Sequence, residues 1–105
     1  MNRIYYERNF RTPYSESYYI VNDNNRLGII DIHFTTTSVH GTLILTQEFD
    51  QVDIIKMIQQ IDEDLVLSAD VPRDDFCVRV YFCKDIGFYS DEYTQKKNSK
   101  TDQLD

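Results

Sequence analysis

Residues 27–36 read LGIIDIHFTT. Ile30, Ile32 and Phe34 alternate there with Asp31, His33 and Thr35, the two-residue period of a strand with one buried face and one wet face. Thr37 and Ser38 form the next turn. Residues 39–46 then set Leu43 and Leu45 against His40, Thr42, Ile44 and Thr46, so a hairpin is expected. Matching the two apolar sets puts Phe34 opposite Gly41 and Ile32 opposite Leu43. That register sets Thr35 beside His40, with His33 on the diagonal.

Working outward, residues 17–22 carry the strand formers Tyr18, Tyr19, Ile20 and Val21. Asn22, Asp23, Asn24 and Asn25 follow, side chains that tolerate left-handed turn geometry, so a hairpin joins this strand to the first. Further upstream, Ile4, Tyr5, Tyr6 and Phe10 interleave with Arg3, Glu7, Arg8 and Arg11 and suggest an edge strand ending before Pro13.

Downstream the period changes. Asp50 and Asp53 stand where a helix cap and first turn need acceptors, and Ile54, Ile58, Ile61 and Leu65 recur at helical spacing, so a helix is expected over 51–65. Its apolar stripe takes in Ile55 and Met57. Beyond Pro72, Asp74 and Asp75, the residues Phe76, Val78, Val80 and Phe82 alternate with Cys77, Arg79, Tyr81 and Cys83, a last strand. Strand, helix, strand implies a crossover that makes these two strands parallel. The expected fold is α+β: a mixed, mainly antiparallel sheet of four to five strands in the order β-β-β-α-β, with a further N-terminal edge strand and one helix on one face. Residues 1–90 form the single domain and 91–105 a disordered polar tail.

The 105 residues are 41% hydrophobic and 28% charged, enough for one modest core. The net charge is −7, and residues 47–92 hold most of it, with twelve acidic side chains against four basic. Such a chain repels phosphate backbones and anionic membranes, so neither nucleic acid nor membrane is an expected partner. Cys77 and Cys83 lie six positions apart on one strand, roughly 20 Å, and cannot bond to each other within the chain. Two unpaired thiols, with no signal-type or membrane-length apolar run, point to a cytoplasmic location.

If the helix covers Ile30, Ile32, Phe34, Leu43, Leu45, Val78, Val80 and Phe82, the other face collects Asp31, His33, Thr35, His40, Thr42, Ile44, Cys77, Arg79, Tyr81 and Cys83. Ile44, Tyr81 and the thiols suit a covered surface better than an open one, and small domains often bury such a face on a copy of themselves. Imidazole and thiolate also suit transition metals, but Asp31, His33, His40 and Cys77 have no metal-site spacing, and neither cofactor nor metal is expected. Asp62, Glu63, Asp64, Asp70, Asp74 and Asp75 follow no calcium-loop pattern. The expectation is a non-enzymatic interaction or regulatory domain, binding itself or another protein through Asp31, His33, His40, Ile44, Arg79 and Tyr81. A small enzyme or ligand-binding domain using the His/Arg/Asp cluster of that face is the alternative. An acidic nucleic-acid mimic inhibiting a basic partner is the second.

Overall fold

A computed structural model describes residues 3–67 and 75–90. The elements run β1 (Tyr5–Arg11), β2 (Ser15–Asn22), β3 (Asn25–Phe34), β4 (Ser38–Leu45), α1 (Gln51–Ile61), a π-helical turn (Asp62–Val66) and β5 (Asp75–Phe82). Strand order in the sheet equals chain order, β1-β2-β3-β4-β5. The first three pairings are antiparallel and β4–β5 is parallel, as a helix crossover requires. The chain is therefore α+β, with a mostly antiparallel mixed sheet. The expected tail at 91–105 and the loop residues Asp70, Pro72 and Asp74 lie outside the described residues.

Local chemistry explains the turns. Between β2 and β3, Asp23 and Asn24 have φ of 51° and 69°, and Asn22 pairs with Asn25. Two left-handed residues in a row make the hairpin turn whose twist matches its strands, and short polar side chains tolerate that geometry. Between β3 and β4, the Thr35 hydroxyl accepts from the amide of Ser38 at 3.0 Å, while the Thr35 amide donates to the Ser38 carbonyl at 2.9 Å. This tight closure shifts the pairing by two residues from the expected register. Ile32 faces Gly41, Phe34 faces Val39, and His33 stands directly opposite His40. A shift of two leaves every side chain on its expected face.

The core lies between the sheet and α1. Ile4, Ile20, Ile30, Ile32, Val39, Leu43 and Met57 are fully buried, with Leu45, Ile61 and Val66 nearly so. Asp50 starts the helix by accepting the Asp53 amide at 3.0 Å, which satisfies one of the free donors of the first turn. Two expected core residues are not in the core. Ile55 is 48% exposed because it falls on the outer side of α1, away from buried Met57 and Ile61. Phe82 is 61% exposed because β5 is the outermost strand, with no further strand beyond it in the sheet among the described residues.

Close packing explains two glycines. A Cβ on Gly28 would sit 2.1 Å from the Ile44 carbonyl oxygen, and one on Gly41 would sit 3.2 Å from the Phe76 ring. Among the described residues, no helix is long and apolar enough to cross a membrane.

Candidate functional site

The face of the sheet away from α1 is ordered by cross-strand rows. Directly paired residues point to the same side, so the register reads off the surface. One row runs Glu7, Tyr19, Ile29, Ile44, Tyr81; the next Ser17, Asp31, Thr42, Arg79; the third Ser15, His33, His40, Cys77. All six site residues expected from the sequence (Asp31, His33, His40, Ile44, Arg79 and Tyr81) thus share this face, and they span three neighbouring strands.

Polar contacts on the face are sparse. His40 Nε2 lies 3.1 Å from the Ser38 hydroxyl, and His33 is exposed opposite it. Asp31 is half-buried, and its Oδ1 is shielded from solvent without a hydrogen-bond partner. Its cross-strand neighbour Ser17 is fully buried and accepts from Asn9 Nδ2 at 3.3 Å. Arg79 lies two strands from Asp31, about 9–10 Å across the sheet, and makes no ion pair among the described residues. Among the described residues, no three His, Cys, Asp or Glu side chains converge where they could hold a metal ion. The titratable groups therefore share a surface without sharing a focus.

Apolar surface dominates the first row. Ile29 and Ile44 are half-buried and Tyr81 is 48% exposed. At the far end, the Arg26 guanidinium stacks 3.8 Å above the Tyr19 ring and reaches Glu7 at 3.2 Å, a cation held on an aromatic face and steadied by a carboxylate. Tyr19, Arg26, Ile29, Ile44, Thr46 and Cys83 line a shallow depression there. Ile29 and Tyr19 are on this face without having been expected there from the sequence, although Ile29 stands two positions before Asp31 and so shares its parity.

Both thiols are free and exposed. Cys77 Sγ donates to Asp75 Oδ2 at 3.4 Å, and this bond with the carboxylate's charge raises the Cys77 pKa. The thiol form is favoured, the reverse of what a cysteine nucleophile needs.

The acidic helix end has a structural job. Asp64 Oδ2 accepts from the Tyr6 hydroxyl at 3.0 Å, from Arg3 at 3.1 Å and from Gln60 Nε2 at 3.3 Å. Gln60 also donates to the Ile4 carbonyl at 2.9 Å. Together they clamp the start of the chain to the end of the helix, closing one side of the core. Burial first, then the bond to Asp64, push the Tyr6 hydroxyl pKa well above the ordinary phenol range.

Compared with protein-family models, with curated proteins and with solved structures, the chain matches none.

Proposed function

We propose that this chain is a non-enzymatic protein-interaction domain that self-associates through the β4–β5 side of its sheet. One observation carries the reading: exposed apolar side chains concentrate there. Tyr81, Phe82, Ile86, Phe88 and Tyr89 are each about half exposed or more, within nine consecutive residues. Isolated exposed apolar residues are ordinary, but five within nine residues, on the outermost strand and just after it, favour a region that is covered in use. The Ile29–Ile44–Tyr81 row leads into that set across the uncovered face.

The chemistry of the face supports binding better than catalysis. A catalytic group must lie within hydrogen-bond reach of a common reacting atom. Here His33, Asp31 and Arg79 are spread over neighbouring rows and strands. Tyr81→Ala and Phe82→Asp test the proposal, because both side chains are about half exposed or more on the outermost strand. Size-exclusion chromatography with light scattering should give an assembly for the parent chain and a folded monomer for each variant, with circular dichroism unchanged. An identical mass for all three proteins would contradict the reading.

A further inference from the structure

The two edges of the sheet differ. β1 carries Glu7, Arg8 and Arg11 and has a register shift between Arg8 and Phe10, the charges and bulge by which sheets blunt an edge. β5 pairs with β4 without a break from Asp75 to Phe82 and carries one charge in its interior, Arg79. It is a straight, largely apolar edge.

Backbone direction shows which part of that edge is available. The Cys83 amide donates to the Leu45 carbonyl at 3.0 Å. In a parallel ladder each residue turns both backbone groups to one side, alternating along the strand, so the odd-numbered residues of β5 face β4. The amides and carbonyls of Phe76, Val78, Val80 and Phe82 then face outward. Asp75 Oδ1 already takes the Phe76 amide at 2.8 Å. The usable edge is therefore Val78, Val80 and Phe82.

Building on the interaction reading above, we propose that two copies join edge to edge through β5, antiparallel about a two-fold axis at Val80, so that one sheet runs through both. An axis normal to the sheet keeps the helix-covered faces on the same side. Val80 then meets Val80 of the second copy, and Val78 meets its Phe82. These pairs exchange about six backbone hydrogen bonds across the edge. The row Ile30–Leu43–Val80, fully buried at its first two members and half-buried at Val80, continues into its own repeat, and Phe82 gains the cover it lacks in one copy. On the other face Arg79 comes against Tyr81, a cation on an aromatic ring. Cys77 comes against Cys83.

Three other registers are poorer. An axis at Arg79 sets guanidinium against guanidinium. One at Val78 draws on the Phe76 amide that Asp75 already holds. One at Cys77 leaves Phe82 uncovered. The spacing of the two thiols, equal on either side of Val80, belongs to the chosen register alone.

That spacing supplies the test. Cys77 and Cys83 of opposite copies form a close, non-hydrogen-bonded pair with Cα atoms about 4.5 Å apart, inside the range a disulfide spans. The full-length chain is treated with diamide, which takes two electrons and two protons from each pair of thiols and becomes the hydrazine as the S–S bond forms. The expected product is a covalent dimer whose linked peptides join Cys77 to Cys83. Cys77→Ser and Cys83→Ser should each stay monomeric on a non-reducing gel, while an equal mixture of the two should regain the cross-linked band. Links of Cys77 to Cys77 or of Cys83 to Cys83, or no band from the mixture, would overturn the register. A sedimenting dimer without the Cys77–Cys83 link would overturn the edge pairing and leave the interaction reading standing. A monomer at every concentration would overturn both.

Discussion

The Tyr6–Asp64 bond lends itself to a double-mutant cycle. Tyr6→Phe removes one hydroxyl that donates to a carboxylate at 3.0 Å in a partly buried site. Bonds to charged groups contribute about 1.5–3 kcal/mol, so a loss near 2 kcal/mol is expected. Asp64→Ala removes the acceptor for three donors, but they do not count equally. Arg3 is 57% exposed and should lose little, and Gln60 keeps its shorter bond to the Ile4 carbonyl. The cost is thus about 2–3 kcal/mol, most of it the stranded Tyr6 hydroxyl. The double variant no longer strands a hydroxyl and should cost no more than Asp64→Ala alone, which makes the coupling about 2 kcal/mol or more. Urea titration followed by circular dichroism reads these values, and with a slope of about 1 kcal/mol per molar, Tyr6→Phe should lower the midpoint by about 2 M. A pH series gives the sign independently. The unfolded chain ionises Tyr6 near pH 10, whereas the folded state holds the proton to higher pH. The contribution is therefore complete below about pH 10 and is lost as pH rises beyond it, and Tyr6→Phe should remove that alkaline loss. Additive single-variant costs, or an alkaline profile unchanged by Tyr6→Phe, would refute the clamp.

Three further outcomes are expected. Gly28→Ala places a methyl group 2.1 Å from the Ile44 carbonyl oxygen, so β3 and β4 must separate, at a cost of at least about 2–3 kcal/mol in a urea melt. Asp50→Ala removes the acceptor of the Asp53 amide and should cost about 1 kcal/mol, with Asp50→Ser recovering most of it. Asp75→Asn should lower the Cys77 pKa towards the ordinary thiol value, because the carboxylate that favours the protonated form is gone. Alkylation of Cys77 by iodoacetamide should then be faster near neutral pH in the variant than in the parent.

The strands and helix were legible because their periods are clean. Ile30, Ile32 and Phe34 state a half-buried strand, and the step to Ile54, Ile58 and Ile61 states the helix that must cover it. The faces were legible for the same reason, since parity alone puts Asp31, His33, His40, Ile44, Arg79 and Tyr81 together. The register was not. It depends on how tightly Thr35 closes on Ser38, and two residues of slip change neither face nor apolar matching. Phe82 was misplaced because alternation records which side of a strand a residue occupies and not whether another strand lies beyond it. The clamp escaped notice because Tyr6, Gln60 and Asp64 meet only after the helix crosses back over the sheet, and nothing in their sequence separation announces it.

Sedimentation equilibrium of the unmodified full chain, over a range of concentrations and at low and high salt, tests the central claim most directly. Self-association through the sheet predicts a species of twice 12.5 kDa that grows with concentration. It should strengthen with added salt, which screens the repulsion between two chains of net charge −7. A single 12.5 kDa species at every concentration and salt would contradict it.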